Sequence, residues 1–131
     1  MRDLGHEVLE LLVSHFESLP DQPVSNTASR PQMEALFRET PPEDGMPWAQ
    51  VLKRVKDVVF SHMMHVDHPR FLSFVSSPSN FVGAMADALV SGMNVFAGTW
   101  MEAAGPAQIE LVTIDWLRKI CGLPETAGGL F

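Results

Sequence analysis

The sequence predicts a mainly α-helical chain, and three observations lead there. Leu4, Val8, Leu11, Leu12, Phe16 and Leu19 form one apolar stripe at helical spacing. Val51, Leu52, Val55, Val58 and Val59 line a second. Residues 79–94 are apolar nearly all round, the pattern of a helix that is covered on every side. With 131 residues and 46% hydrophobic content, the chain is long enough for a core and too apolar for compositional disorder.

Each element follows from local signals. Residues 3–19 read as an amphipathic helix, with Arg2, Asp3, Glu7, Glu10, Ser14 and Glu17 around the stripe and Pro20 and Pro23 ending it. Residues 20–46 are rich in Pro, Ser, Thr, Asp and Glu and read as an extended connector. Within it, residues 31–38 are expected to make one or two helical turns, with Met33, Leu36 and Phe37 as contacts. Pro47 suits the first turn of a second helix, whose Trp48 and His62 extend the valine face. Lys53, Arg54, Lys56 and Asp57 lie largely on the opposite face. Pro69 limits that helix, because the residue before a proline avoids helical geometry. Residues 66–78 are then irregular or short extended chain.

Pro78 and Ser79 open a third helix, which runs to about Asn94. Gly105 and Pro106 open a fourth, with Ile109, Val112, Trp116 and Ile120 on one face. Asp115 and Lys119 pair four residues apart, and Gly122 and Pro124 end the helix. The third helix needs more cover than the chain offers, and a large apolar surface left open marks an interface.

Charge narrows the function classes. A net charge of −7, with only nine Lys and Arg that form no patch, argues against nucleic acid and against an anionic membrane surface as partners. Cys121 is the single cysteine, so no intrachain disulfide forms, which favours a reducing, cytoplasmic setting. The N-terminus lacks the basic then apolar order of a signal peptide. Residues 81–100 carry one charge, Asp87, over about the span of a bilayer. They also contain Gly83, Gly92, Asn94 and Gly98 and have no basic flank, so a buried soluble helix is the reading and no membrane is expected.

Candidate chemistry is sparse. His62, His65 and His68 recur every three residues, but Pro69 ends the helical register there, and no metal site is expected. Histidines that cap carbonyls or pack beneath the next loop account for the spacing. Ser76, Ser77 and Ser79 read as a helix cap or, alternatively, as an anion-binding loop. Phe71, Phe74, Phe81, Phe96, Trp100 and Trp116 are core, interface, or the side wall of a planar ligand. Glu102, Glu110 and Asp115 read as solvated or capping acids. Asp87 is costly to bury alone and is expected to meet a backbone donor or a basic residue at a subunit contact. Lys53, Lys56 and Lys119 lie on polar faces, and none is placed as a recessed Schiff-base lysine. No phosphate-binding glycine loop or nucleophile triad is present.

Taken in order, several rare residues form a pattern. His68-Pro69-Arg70-Phe71 is followed by the alanine-rich run 84–89, Asn94, Trp100, Pro106-Ala107, Glu110-Leu111, Asp115-Trp116-Leu117 and Gly122-Leu123-Pro124. This order resembles the N-terminal region of the group II pyridoxal-phosphate-dependent decarboxylases, the aromatic-amino-acid decarboxylase family. The resemblance implies the N-terminal helical segment of a fold-type-I, aminotransferase-like α/β enzyme. It implies residues 1–78 as a helical dimerisation arm with a Pro-rich connector, and residues 79–131 as the start of the large cofactor-binding domain.

The implied activity is decarboxylation of an amino acid, with pyridoxal 5'-phosphate as electron sink and bound mainly by residues beyond Phe131. The implied partner is a second subunit of a homodimer or the remaining part of the enzyme. Carried over by resemblance, Phe74, Val75, Ser76 and Ser77 line the substrate pocket, and Phe96 and Trp100 sit near the site or the dimer seam. No catalytic residue is expected within the chain, so the segment alone is inactive. Many relatives have Tyr and then Pro where this chain has Phe74 and Ser76, so an aromatic substrate is not implied. The other classes are a non-catalytic helical interaction module of the same descent and a small histidine-ligated metal protein.

Overall fold

The computed structural model describes residues 1–131. Five α-helices carry the chain: α1 (Arg2–Ser18), α2 (Arg30–Phe37), α3 (Trp48–Arg54), α4 (Phe81–Met93) and α5 (Trp100–Ile120). There is no β-sheet, only one isolated antiparallel bridge between Ser25 and Met64. The chain divides into two compact units, Met1–Gly83 and Ala84–Phe131, and the boundary falls in the first turn of α4.

In the first unit α1 packs against α3. Beyond α1 the chain tightens into a 3₁₀ turn, Leu19–Asp21, with Pro20 early enough that its missing N–H leaves no gap. Leu19 is the larger of only two buried apolar side chains in the whole protein. The Pro-rich connector is pinned at one place. Asn26 N–H donates to the Met63 carbonyl (3.1 Å), His65 N–H donates to the Val24 carbonyl (2.9 Å), and Asn26 Nδ2 donates to the Ser61 carbonyl (2.5 Å). Ser29 and Gln32 form a capping box at the start of α2, which the sequence places correctly as a short helix. Arg54 ties α2 to α3: it donates to both Glu39 carboxylate oxygens (3.1 and 3.2 Å) and to the Leu36 carbonyl (3.2 Å), and lies 5.8 Å over the Phe37 ring.

The second helix is not the uniform one that periodicity predicts. After Arg54 it widens into a π turn, Val55–Val59, where Phe60 N–H reaches back to the Val55 carbonyl. It closes in a 3₁₀ turn, Phe60–His62. Side chains compete for the backbone here: Ser61 Oγ donates to the Asp57 carbonyl (2.6 Å), and His62 Nδ1 lies 2.7 Å from the Val58 carbonyl.

In the second unit both helix ends are set locally. Asn94 takes a left-handed conformation (φ 51°), with its N–H on the Ser91 carbonyl and Val95 N–H on the Val90 carbonyl. Gly122 (φ 65°) repeats this after α5, with its N–H on the Lys119 carbonyl and Leu123 N–H on the Arg118 carbonyl. Both are Schellman closures.

The fourth predicted helix starts earlier than Gly105. Thr99 Oγ1 accepts from Glu102 N–H (3.3 Å) and donates to the Glu102 carboxylate (2.7 Å), which nucleates a turn at Trp100. Ala103 then breaks helical geometry (φ −149°, ψ 54°), so Pro106 falls in the first turn of the segment that follows and blocks no hydrogen bond.

The helix α4 has 13 residues, roughly 20 Å of rise, and no helix is long and apolar enough to cross a membrane. Its expected cover is absent within the chain: Val82, Leu89, Val90 and Met93 are all exposed. Asp87 is exposed too, so the burial penalty that called for a partner does not arise here.

Candidate functional site

A polar region tied to the connector lies just before the candidate pocket loop. Residues 63–65 are held by the bridge to the connector. Two tight turns follow, with His68 N–H on the His65 carbonyl (3.1 Å) and Phe71 N–H on the His68 carbonyl (2.9 Å). His65 and His68 are the two buried polar residues of the protein, 7% and 3% exposed. Pro69 occupies the second position of the second turn, where its fixed φ suits the geometry.

The chain then emerges from this anchor. Phe74 and Val75 are almost wholly exposed, and Ser76 and Ser77 are exposed beside them. Phe74 has φ 62°, a left-handed conformation that costs a bulky side chain about 1–3 kcal/mol. Its ring lies 6.1 Å from that of Phe71. The four loop residues named from the sequence therefore form one continuous exposed stretch. The helix cap assigned to this cluster falls on a neighbour: Asn80 Oδ1 accepts from Gly83 N–H at 2.9 Å.

Phe96 and Trp100 belong to the second unit, and both are more than half exposed. The Phe96 ring lies directly over Gly98, where an added Cβ would come within 2.4 Å of it. Gly98 therefore sets where that ring rests.

No lysine is recessed. Lys53 pairs with Asp57, whose carboxyl is held below its usual range chiefly by that hydrogen bond. Lys119 lies 2.6 Å from Asp115, and its hydrogen bond, then that of Arg118, holds the Asp115 carboxyl low as well. Lys56 is exposed. These residues do not fit the covalent anchor of a pyridoxal cofactor, which needs a desolvated, oriented amine.

The three histidines at three-residue spacing do not converge on one another as ligands. His62 Nδ1 faces the Val58 carbonyl, as expected of a histidine at a helix end. His68 Nδ1 accepts from Arg70 N–H (2.9 Å), which puts its proton on Nε2. The convergence is elsewhere: His15, His65 and Asp67 bring ligand atoms within 4.8 Å of one another, with His15 Nε2 3.0 Å from Asp67 Oδ2. Sequence reasoning missed this because His15 lies 52 residues from Asp67 and no local spacing signals it. A shallow recess on α2, lined by Arg30, Met33, Glu34, Phe37 and Arg38, is crossed by the ion pairs of Glu34 with both arginines.

Comparison with known proteins adds what geometry alone cannot. Residues 31–130 match the pyridoxal-dependent decarboxylase conserved domain. An aromatic-L-amino-acid decarboxylase of Bacillus atrophaeus is 43% identical over 131 residues, all of this chain and 27% of that protein. A tyrosine decarboxylase of Oryza sativa subsp. japonica is 31% identical over 98% of this chain and 25% of its own length. Among solved structures, Oryza sativa TDC with PLP and tryptamine superposes with a TM-score of 0.83 at 24% identity, over 94% of this chain and 25% of that one. The chain thus spans about a quarter of the length of the relatives it matches.

Proposed function

This chain belongs to the pyridoxal-dependent decarboxylase family, and from that premise we propose that it forms part of a pyridoxal-phosphate-dependent amino-acid decarboxylase. Within that enzyme it supplies one wall of the substrate pocket, through Phe74, Val75, Ser76 and Ser77, with Phe96 and Trp100 near the site or the seam between subunits. Residues 1–78 act as the dimerisation arm, and residues 79–131 begin the cofactor-binding domain. The Schiff-base lysine lies outside residues 1–131. The relatives named for aromatic amino acids favour an aromatic substrate, held here by ring contacts without a tyrosine hydroxyl at position 74.

The observation that carries this reading is the loop itself. Phe74 is held in a strained backbone conformation and is largely exposed, three residues after a polar turn closed by Phe71 N–H on the His68 carbonyl. Strain retained at an exposed apolar residue is costly unless the residue has a task. The open faces of α4 and α5, with Met93, Met101, Ile109 and Ile120 exposed, support a segment that buries itself against further protein. When bound, the cofactor supplies the electron sink for loss of carbon dioxide. This chain's part is to orient the substrate side chain and exclude water beside it.

The test uses the full-length protein. Phe74→Ala is expected to raise KM for the amino acid about 10-fold, in line with about 1.4 kcal/mol of lost ring contact, with a smaller change in kcat and an unchanged cofactor absorbance. An unaltered KM for every amino acid tried would remove the loop from the pocket.

A further inference from the structure

His15, His65 and Asp67 form a group that the decarboxylase reading does not use. We propose that they bind a divalent first-row transition cation of the zinc class, which clamps the last turn of α1 to the turn at residues 65–68.

The donor set fits. Two imidazoles and one carboxylate are the nitrogen and oxygen ligands such a cation takes, with a fourth position left for water. Tetrahedral ligands at about 2.0–2.1 Å from zinc stand about 3.4 Å apart. His15 Nε2 and Asp67 Oδ2 are already 3.0 Å apart, and all three ligand atoms lie within 4.8 Å. Side-chain movement of about an ångström closes the set, without altering the backbone.

Burial supplies a second observation. His65 is only 7% exposed, and its Nδ1 is buried without a hydrogen-bond partner. An unmatched buried nitrogen costs about 1–3 kcal/mol. His68 Nε2 is unmatched as well, and what singles out His65 is its place beside His15 and Asp67. Its ring lies 5.5 Å from that of His15 and tilted by 33°, an arrangement that lets both rings approach a shared ion. Asp67 is mostly shielded and His15 partly so, leaving entry from one side.

His68 is not a fourth ligand. Its Nδ1 accepts from Arg70 N–H, so Nε2 carries the proton and has no lone pair to give. Ion binding through His15 Nε2 requires the tautomer with the proton on Nδ1, so the ion replaces the His15–Asp67 hydrogen bond.

The experiment uses full-length protein stripped with a chelator, dialysed, and titrated with Zn²⁺ and with Co²⁺ as a coloured reporter. One equivalent per chain is expected, with the visible Co²⁺ bands of a four-coordinate site. His15→Asn and Asp67→Asn should each weaken zinc binding at least 100-fold while His6→Asn leaves it unchanged. His15 and Asp67 are only partly buried, so these variants remain informative even where His65→Asn fails to fold. Zinc binding of equal strength in wild type, His15→Asn and Asp67→Asn overturns the proposal, as does no stoichiometric uptake. Neither result bears on decarboxylation, which is read separately.

Discussion

Residues 61–71 and the pair α4–α5 hold their shapes by opposite means. The first region is tied by long-range polar links: a bridge to the connector, an asparagine on the Ser61 carbonyl, and a histidine from α1 on Asp67. It buries two histidines. The helices α4 and α5 bury one alanine and leave most of their large apolar side chains open. Their shape comes from signals within five residues: Asn80 and Thr99 at the starts, Asn94 and Gly122 at the ends. A region can therefore be fully specified in backbone and still lack its packing. The first region is tied within the chain, whereas the second leaves its apolar faces exposed.

That contrast predicts unequal responses to substitution. The largest effect belongs to Leu19→Ala, expected to cost about 2 kcal/mol by loss of a buried side chain. Hydrogen exchange on the full-length protein should show amides of α1 and residues 24–26 opening about 30-fold more readily, with the last turn of α5 unchanged. Equal loosening of α5 would break the contrast.

A smaller effect belongs to Gly122→Ala. An added Cβ meets nothing within 4 Å, so the cost is the left-handed backbone alone, about 1 kcal/mol. Faster exchange should be confined to the final turn of α5.

The smallest belongs to Asp115. Its folded carboxyl is held below the usual carboxylate range, chiefly by the Lys119 hydrogen bond and then by that of Arg118. The ion pairs therefore support the helix end fully above about pH 4 and are lost as pH falls through the lower folded value. Carbon-13 detection should place the Asp115 midpoint below the usual carboxylate range and move it upward in Lys119→Met. A midpoint unmoved by that substitution would show the pair to be fully solvated.

Much of the fold was legible before any coordinates. The stripe from Leu4 to Leu19, Pro47 ahead of α3, and Gly122 after α5 all mark elements that exist. Each is a short-range matter of periodicity, proline geometry or left-handed glycine. The Thr99–Glu102 cap was equally local and readable, and it explains why α5 begins before Gly105. The π turn at Val55–Val59 was not legible, because periodicity cannot register one extra residue in a turn. For the candidate loop, the sequence could name Phe74 to Ser77 but not show that Phe74 is left-handed and bare.

By itself, then, the sequence determined where most helices start and stop, the acidic net charge, and the ordered residues that carry the family. These depend on neighbours within a few positions or on composition. Only the tertiary structure decided that the Pro-rich connector is pinned at Ser25, that His65 and His68 are buried, and that His15 meets Asp67 across 52 residues. Those contacts close long loops, and the side chains that meet across them leave no periodic trace in the chain.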